Sequence, residues 1–268
     1  MLRQGPSLQR DDSRECRTAI RVISLETATE RRRAFAGRAE RTTARWSFFD
    51  ARTTPDPDLT WNRNSLLRHK GRELLPGERG NYSSHFALWR ELAASDHDQL
   101  IVFEDDIWVD WPFVERLART DLAAHGVGYL NLIVKRLAPF REVGHVGERA
   151  LVQFMGYTHG TCYAVTRSRA AESLDYLGHV RGNFDNMLDR SWANGFPNLT
   201  VFPTPAFELG YKTGSAIGAG DRFAEKPPST AWRIRRAVYR RWDPLRRAAY
   251  IAGQQTGLGP RARASIDI

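Results

Sequence analysis

The stretch LIVFEDDIWV, at residues 100–109, decides how the fold of the whole chain is interpreted. Its apolar first half predicts a buried strand, and three carboxylates follow directly: Glu104, Asp105 and Asp106. Two carboxylates about 4 Å apart repel each other by about 4 kcal/mol at an effective dielectric constant of about 20. A divalent cation such as Mg²⁺ or Mn²⁺ would remove that repulsion, whereas a solvated turn or a helix N-terminus would tolerate it. The stretch therefore favours a metal site at the end of a core strand, with a solvated acidic turn as the alternative.

The composition of the 268-residue chain is that of a globular protein with a strongly basic surface. Hydrophobic residues make up 41% and charged residues 26% of the chain, which is ordinary for a soluble domain. The formal charge is +9, and all but four of the 40 basic residues are arginine. Arginine favours bidentate contact with phosphate and carboxylate groups. We therefore expect phosphorylated ligands, nucleic acid or an anionic membrane surface as partners.

The cysteine content and the absence of long apolar runs indicate the compartment. Cys16 and Cys162 are too few for a disulfide framework or a cysteine-based zinc site, which suits a reducing cytoplasm. No run approaches the roughly 18 apolar residues of a membrane span. The first residues also lack the apolar region of a signal peptide. The sequence therefore predicts a cytoplasmic protein.

Strand-like and helix-like segments alternate along the chain. The predicted strands are 18–25, 46–51, 99–103, 128–134, 161–166 and 199–202. The predicted helices are 27–38, 80–95, one starting at Trp111, 167–177 and 185–193. This alternation predicts an α/β fold with a mainly parallel central sheet. Composition divides the chain into a polar N-terminal segment (1–17), a main α/β domain (18–220) and a basic C-terminal extension (221–268).

The extension contains the run TAWRIRRAVYRRWDPLRRAAYIAG at residues 230–253. Ala231, Ile234, Val238 and Trp242 form one helical stripe, and Asp243-Pro244 predicts the cap and first turn of a second helix. One interpretation is a pair of helices packed on the domain. The other is a basic interfacial helix that contacts an anionic membrane through residues 229–252.

Several classes of metal-dependent enzyme place acids at a strand end. A haloacid-dehalogenase-type phosphatase has its paired aspartates after the first strand, but that segment here reads IRVISLETATE (20–30). A nuclease-type site needs further scattered carboxylates and a basic binding face, which the sequence does not clearly provide. The remaining class is nucleotide-sugar transfer, in which a metal holds the diphosphate of the sugar donor.

Four segments together resemble glycosyltransferase family 25, the lipopolysaccharide and lipooligosaccharide glycosyltransferases. They are RVISLETATERRRAF (21–35), LLPGERGNYSSHFALWREL (74–92), LIVFEDDIWV (100–109) and GTCYAVTRSRAAESL (160–174). Their order and spacing are similar to the family pattern over roughly residues 20–217. The chain departs from the pattern at Asn81, where the family often has Cys, and the similarity thins beyond Gly182.

The resemblance implies a GT-A-like, Rossmann-type nucleotide-sugar transferase domain. It also implies an inverting transfer from a UDP-sugar donor, typically UDP-galactose, to a glycan or glycolipid acceptor of the cell envelope. Mn²⁺ or Mg²⁺ would neutralise the leaving diphosphate, held by Asp106 and Glu104, with Asp106 as the direct ligand. Asp105 would instead reach the ribose or a metal-bound water.

The transfer also needs a base that removes the proton of the acceptor hydroxyl. Asp185, at a predicted helix start, is the candidate, and a helix cap is the alternative role for it. Asp189 and Glu208 are substitutes.

A further set of residues is expected to bind the donor, because the family pattern places them near the nucleotide or the sugar. For Glu26 a plain turn is an equal alternative, and a lone His such as His85 can equally be structural. The donor-binding set is Ile23, Ser24, Leu25, Glu26, Glu78, Ser84, His85, Glu104 and Asp105.

The sequence thus predicts a metal-dependent UDP-sugar glycosyltransferase attached peripherally to the inner face of the cytoplasmic membrane. The alternative is a noncatalytic or nucleic-acid-binding basic protein with a structural acidic cluster, although nucleic acid is the less favoured partner. A third possibility is a relative that keeps the fold and has lost activity.

Overall fold

The computed structural model describes residues 16–158, 160–195, 197–209, 229–256 and 264–268. Most of the predicted N-terminal segment, residues 1–15, lies outside this part. The strands are β1 (Thr18–Ser24), β2 (Ser47–Asp50), β3 (Thr60–Trp61), β4 (Gln99–Glu104), β5 (Ile107–Val109), β6 (Tyr129–Asn131), β7 (Phe140–Val146), β8 (Arg149–Phe154), β9 (Tyr163–Thr166), β10 (His179–Val180), β11 (Leu199–Phe202), β12 (Ala206–Glu208) and β13 (Ala264–Ile266). The helices are α1 (Thr29–Arg38), α2 (Arg63–His69), α3 (Pro76–Ala94), α4 (Trp111–Arg119), α5 (Arg167–Gly178), α6 (Phe184–Leu188), α7 (Ser191–Asn194) and α8 (Thr230–Gln255).

A nine-stranded sheet in the order β13-β7-β8-β11-β6-β9-β4-β1-β2 forms the centre of the fold, and β10-β3 and β12-β5 form two small ribbons. The α/β class is confirmed. The prediction of a mainly parallel sheet is wrong, because in the described residues four pairings of this sheet are parallel and four are antiparallel. The reasons are that β9 returns antiparallel between β4 and β6, and that the hairpin β7-β8 extends the sheet.

The run that precedes the acids forms β4, an interior strand of the sheet between β9 and β1, and it is buried on both faces. Ile101 and Phe103 point into one core cluster, with α1 and α4. Leu100 and Val102 point into the other, with α3 and α5. Because successive strand side chains alternate between faces, a strand covered by helices on both sides must be apolar at every position. This explains the unbroken run LIVF and places the acids where that strand leaves the core.

The helix α3 begins four residues earlier than predicted, at Pro76. A proline fits the first helical turn because its missing N–H would have no partner there. The carboxylate of Glu78 accepts a hydrogen bond from the backbone N–H of Leu75, at 2.9 Å. Pro76 and Glu78 therefore both stabilise the start of the helix. The predicted helix start at Trp111 is confirmed, with Asp110 as its cap. The predicted helix 185–193 is instead two short helices, α6 and α7.

The C-terminal helix α8 is continuous from Thr230 to Gln255, with Pro244 inside it. The prediction that Asp243-Pro244 starts a second helix is wrong. The carboxylate of Asp243 accepts hydrogen bonds from Tyr157, at 2.8 Å, and from Arg190, at 3.1 Å, and does not act as a cap. The helix packs on α2 and α7, and Tyr239 contacts His69 of α2 with 4.3 Å between the ring centroids. No helix in the described part of the chain is long and apolar enough to cross a bilayer.

The C-terminal strand β13 lies at the edge of the central sheet, so that part of the predicted extension belongs to the main sheet. It pairs in parallel with β7, with Ala264 opposite Gly144. A Cβ atom added to Gly144 would lie 1.7 Å from the carbonyl oxygen of Ala264. The pairing therefore requires glycine at this position.

We expect Gly144→Ala to displace β13 from the sheet, because the added methyl and the Ala264 carbonyl cannot occupy the same space. Overpacking of this kind costs about 1–3 kcal/mol, measurable by urea unfolding. The amide of Gly147, which donates to Ile266 at 2.7 Å, should exchange with solvent faster. Gly178→Ala is the control, because nothing lies within 4 Å of its Cβ position. Equal exchange rates of the Gly147 amide in the two variants would contradict this account of the sheet edge.

Candidate functional site

The three acids lie at the carboxyl end of β4, where the strand leaves the core. Glu104 is the last residue of β4, and Asp105 and Asp106 form the turn into β5. β1 runs parallel to β4, with Ile23 opposite Glu104, so Ser24 ends at the same edge of the sheet. The ribbon β5-β12 places Glu208 opposite Ile107. Ligands of open α/β sheets bind at this edge.

Asp105 is buried, and its carboxylate is held by the first strand and the first helix. One oxygen accepts a hydrogen bond from Ser24 Oγ at 2.7 Å, and the other forms an ion pair with Arg31. Arg32 donates to the carbonyl oxygen of Ser24 at 2.9 Å, which fixes the end of β1. Both carboxylate oxygens of Asp105 therefore have partners within the chain, and Ser24 acts here by holding Asp105.

Glu104 remains ionised because its neighbours are hydrogen-bond donors or cations. Asn81 Nδ2 donates to Glu104 Oε1 at 2.9 Å, and His85 Nε2 lies 3.8 Å from the same oxygen. Burial alone would raise the pKa of Glu104, but His85, the charge of Lys135 and Asn81 outweigh burial and lower the pKa to about 2. Glu104 is thus a permanent negative charge at the strand end.

Asp106 is the carboxylate with the least support from the chain. Burial and the charge of Glu104 raise its pKa to about 6, while Arg31, 3.5 Å away, opposes the rise. Its Oδ1 atom is buried and has no hydrogen-bond partner in the residues described. A buried acceptor without a partner costs about 1–3 kcal/mol, so this oxygen is suited to a bound cation.

The residues at this edge fit a divalent cation as a partial ligand set. Among the described residues, no group of three or more His, Cys, Asp and Glu side chains is arranged to hold a metal ion. Glu104 and Asp106 offer the hard carboxylate oxygens that Mg²⁺ and Mn²⁺ take, and Asp106 Oδ1 needs a partner. Mg²⁺ typically uses one or two protein carboxylates, with the remaining ligands from substrate phosphates and water. Two carboxylates are therefore enough for a cation that arrives with a diphosphate.

Two basic residues of the chain also offset the crowded negative charge. Arg31 faces Asp105 and Asp106, and Lys135 Nζ lies 3.2 Å from Glu208 Oε1. Although burial would lower the pKa of Lys135, the charges of Glu104 and Glu208 raise it well above its usual range. Lys135 therefore stays charged beside the acids.

His85 is fully buried and supports Glu104 from the protein interior. Its ring stacks on Phe184, with 4.7 Å between centroids and an interplanar angle of 13°. Tyr163 Oη accepts a hydrogen bond from Trp89 Nε1 at 2.8 Å and lies 3.0 Å from His85 Nδ1. Since an indole N–H can only donate, Tyr163 Oη is the acceptor of the Trp89 bond, and it also lies within hydrogen-bonding distance of His85 Nδ1, so that Trp89 and Tyr163 together position the imidazole.

Ser84 lies in the core, on the side of α3 that faces the loop after β2. Its hydroxyl donates to the carbonyl of Gly80 and accepts from the N–H of Arg52, both at 2.8 Å. A Cβ atom on Gly80 would lie 2.3 Å from the carbonyl oxygen of Arg52. Gly80 and Ser84 thus attach this loop to α3, and the structure does not bring Ser84 to the acidic cluster.

Glu78 is the centre of a buried ion-pair network. Its carboxylate accepts from Arg72 at 2.8 and 3.0 Å and forms a further ion pair with Lys70. Burial alone would raise the pKa of Glu78, but the bonds from Arg72 and Lys70 outweigh burial and lower it to about 2. Lys70 Nζ also donates to Asn183 Oδ1 at 2.5 Å. The network therefore ties the start of α3 to the segment that carries Asp185.

Asp185 is partly exposed in the first turn of the short helix α6. Its Oδ1 atom accepts from the backbone N–H of Asn186 at 2.7 Å and from Asn186 Nδ2 at 3.0 Å. The preceding residue, Phe184, is the one that stacks on His85. Asp185 is therefore connected to the acidic cluster through Phe184, His85 and Glu104.

The two substitute bases lie in different surroundings. Asp189 is buried and accepts hydrogen bonds from the N–H and the hydroxyl of Thr158, at 3.1 and 3.0 Å, and a further one from Asn198. Glu208 is exposed and pairs with Lys135. Asp189 is thus a structural carboxylate, and Glu208 lies beside the acidic cluster.

The turn from β1 to α1 completes the edge. Ile23 is buried in β1, Leu25 is half-buried and Glu26 is exposed. The N–H of Ala28 donates to the carbonyl of Leu25 at 3.0 Å, which closes the turn.

The structure divides the predicted site residues into two groups. One group meets at the carboxyl edge of the sheet, and the other supports α3 and α6. The first group is Ile23, Ser24, Leu25, Glu26, Glu104, Asp105 and Asp106, with His85 behind it. The second group is Glu78 and Ser84, with Asp185 at the end of the Glu78 network.

The sequence did not identify two residues that lie beside the acidic cluster, Asn81 and Lys135. Asn81 appeared only as a departure from the family pattern, and the structure gives it a hydrogen bond to Glu104. Lys135 is one of four lysines in an arginine-rich chain and follows the predicted strand 128–134. That position, after a strand of the same sheet, is the signal that could have located it.

A family model described as "Glycosyltransferase family 25 (LPS biosynthesis protein)" matches residues 18–188, well over half of the chain. The chain belongs to glycosyltransferase family 25. The resemblance drawn from the four sequence segments is therefore confirmed. The matched residues include the acidic cluster, the network around Glu78 and the helix that carries Asp185.

Curated relatives match shorter parts of longer proteins. A "Glycosyltransferase 25 family member" of Aedes aegypti is 28% identical over 216 residues, 71% of this chain and 35% of that protein. A "Probable inactive glycosyltransferase 25 family member 3" of Rattus norvegicus is 30% identical over 172 residues, 57% of this chain and 29% of that protein. The "Lipooligosaccharide biosynthesis protein lex-1" of Haemophilus influenzae is 31% identical over 109 residues, 32% of this chain and 36% of that protein. The chain thus spans about a third of the length of these relatives.

We expect Glu78→Gln to destabilise the protein by about 3 kcal/mol in urea unfolding, because it leaves the buried Arg72 and the partly buried Lys70 without their carboxylate. The folded-state pKa of about 2 lies below the usual 4.5, so this stabilisation is complete above 4.5 and is lost as the pH falls toward 2. The difference between wild type and variant should therefore shrink in that range.

Glu73→Gln is the matched control for this experiment. Glu73 pairs with Arg63 and Arg79, but at the surface, where an ion pair contributes at most about 1 kcal/mol. Equal losses of stability in the two variants would contradict a central role for the Glu78 network.

Proposed function

We propose that the chain is a metal-dependent, inverting glycosyltransferase that moves galactose from UDP-galactose to a glycan or glycolipid acceptor of the cell envelope. One observation carries the proposal: a family 25 chain places two carboxylates, Glu104 and Asp106, at the carboxyl edge of its sheet, and one buried oxygen of Asp106 has no hydrogen-bond partner among the described residues. The family description and the name of the Haemophilus influenzae relative support a cell-envelope acceptor.

The donor would bind at the carboxyl edge of β1 and β4. Glu104 and Asp106 would hold Mn²⁺ or Mg²⁺, which supplies the positive charge that stabilises a leaving diphosphate. Arg31 and Lys135 lie beside these acids and add fixed positive charge. The turn at residues 24–26 would receive the nucleoside, and Asp105 is kept in place for it by Ser24.

The acceptor would bind on the side of α6. In a direct displacement, the acceptor oxygen forms a bond to the anomeric carbon while the bond from that carbon to the UDP oxygen breaks. Asp185 would take the proton of the acceptor hydroxyl. Its partial exposure leaves it accessible to an acceptor, and the network of Glu78, Lys70 and Asn183 holds the segment that carries it.

We expect UDP-galactose with Mn²⁺ to raise the unfolding temperature of the wild type, and the Asp106→Asn variant to lose the effect. Ligand at about 100 times its Kd stabilises by about 2.7 kcal/mol. The variant removes a carboxylate whose charge is disfavoured by burial and by Glu104, so it should be as stable as the wild type without ligand. A thermal-shift panel of UDP-sugars with and without Mn²⁺ measures both effects.

Asp175→Asn, an exposed change on α5, is the control and should respond to the ligand like the wild type. No stabilisation by any UDP-sugar in the presence of metal would contradict the proposal. A strongly salt-dependent affinity for DNA in the same preparation would favour a nucleic-acid-binding protein instead.

We expect Asp185→Asn to reduce sugar transfer by at least about a hundredfold, because a general base contributes about 10²–10⁴ in rate. The affinity for UDP-galactose with Mn²⁺ should stay unchanged, since Asp185 would act on the acceptor side. Initial rates and the thermal shift, measured on the same samples, separate the two effects. Near-normal turnover in the variant would assign the proton transfer to another group, with Glu208 the next to test.

A family member without turnover is the second candidate. The name of the Rattus norvegicus relative includes "probable inactive", and Arg31 already places a cation on two of the three acids. Binding of UDP-sugar by the wild type, with no transfer to any cell-envelope glycan, would favour this candidate.

A further inference from the structure

The helix α8 presents an apolar stripe to solvent. Four large side chains recur along one face, at spacings of four, four and three residues. Each is more than half exposed: Ile234 (61%), Val238 (51%), Trp242 (54%) and Leu245 (59%). Side chains at these spacings share one face of a helix. In a helix packed on a globular domain this face would normally be buried.

The opposite face of α8 attaches the helix to the domain through polar side chains. Buried Asp243 accepts hydrogen bonds from Tyr157 and Arg190, and buried Arg247 donates to the carbonyl of Asp189 at 2.7 Å. Gln254 Oε1 accepts from a glutamine of β8 at 2.9 Å. Apart from Ile251, the buried side chains of α8 are polar, whereas the large apolar side chains of the stripe face solvent. These contacts fix the rotation of the helix and keep the stripe away from the core.

Arginines flank the stripe on both sides. At about 100° per residue, Arg235 and Arg246 lie beyond one margin, Arg233 and Arg240 lie beyond the other, and Arg241 lies between the stripe and the second pair. All five are exposed. The one acidic residue of the helix, Asp243, is buried on the opposite face. The solvent-facing half of α8 is therefore apolar at its centre and cationic at its margins.

We propose that the exposed face of α8 docks in the plane of an anionic lipid bilayer. An apolar stripe between basic margins is the pattern of an interfacial helix, and each arginine near an anionic surface adds about 1 kcal/mol of attraction. Trp242 lies at the edge of the stripe, where an amphipathic ring meets the headgroup region. A second copy of this chain fits poorly, because face-to-face contact would bring the arginine margins together.

The docked helix would also orient the rest of the protein. Its partners Arg190 and Asp189 directly follow α6, the helix that carries Asp185. Lipid docking does not depend on the proposed reaction. If the chain is a transferase, docking would place the acceptor side near a lipid-linked glycan.

The test is flotation of the full chain with vesicles of phosphatidylcholine and phosphatidylglycerol, and with vesicles of phosphatidylcholine alone. The wild type should float with the anionic vesicles and remain behind with the neutral ones. The triple variant Ile234→Asn, Val238→Asn, Leu245→Asn should bind the anionic vesicles at least about tenfold more weakly. Because the three side chains are exposed, its unfolding temperature should match the wild type.

Two further variants make the result specific. Leu137→Asn with Met155→Asn removes other exposed apolar side chains and should leave vesicle binding unchanged. Arg235→Gln with Arg241→Gln should weaken binding to anionic vesicles and reduce its dependence on salt.

Three results would overturn the proposal. They are wild-type protein that does not float with anionic vesicles, an α8 triple variant that binds like the wild type, and a dimer in light scattering that the triple variant dissociates. The last result would assign the stripe to a second copy of the chain. UDP-sugar binding, measured separately on the same variants, should be unchanged throughout, so that failure of docking is distinct from failure of the proposed reaction.

Discussion

The balance of charge at the end of β4 is the constraint on which the site depends. Three consecutive carboxylates leave the core together, and their contacts differ: Arg31 pairs with Asp105 and Ser24 donates a hydrogen bond to it, Asn81, His85 and Lys135 surround Glu104, and one oxygen of Asp106 has no hydrogen-bond partner in the described part of the chain. A fully paired cluster would have no use for a further cation, and an unpaired one would not tolerate burial. The described residues compensate the charge of the cluster except at Asp106, which is why Asp106 is the proposed cation ligand.

The side chains that hold Glu104 in place are buried in the core behind it. Glu104 rests on His85, which in turn contacts Tyr163 and Phe184 from two other elements. These side chains are fully buried and close-packed, so a shift in one is transmitted to the next. The same aromatic group joins α3, β9 and α6, and therefore couples the end of β4 to the segment that carries Asp185. If the chain catalyses the proposed two-substrate reaction, this packing would hold the donor and acceptor groups at fixed positions.

Local sequence patterns correctly predicted the elements that local interactions determine. The apolar run at 100–103 specified the buried interior strand β4, and the proline at position 112 specified a helix start, because strand burial and first-turn proline act over a few residues. The direction of β9 and the partners Asn81 and Lys135 depend on contacts between distant segments, which a single sequence does not display, and the hairpin β7-β8, although local, was not predicted. Asp243-Pro244 has the pattern of a helix cap, but long-range bonds from Tyr157 and Arg190 to its carboxylate replace that use. Glu78 and Ser84 were grouped with the donor because the family pattern contains them, and the structure places them in networks that support α3.

The attachment of α8 to the domain shows how buried polar contacts can fix the rotation of a helix about its axis. If Ile234, Val238 and Leu245 faced the domain, the hydrophobic effect would hold the helix more strongly than an ion pair does, since a buried pair loses most of its attraction to desolvation. The chain instead buries Asp243 against Arg190 and Arg247 against a backbone carbonyl, contacts that are directional and allow one rotation of the helix. A helix attached in this way keeps its apolar residues available, at the cost of exposing them to water when they are uncovered. The unfavourable free energy of this exposure is removed only if another apolar surface covers the stripe. The arginines at its margins favour a surface that is also anionic, as the proposed docking on lipid requires.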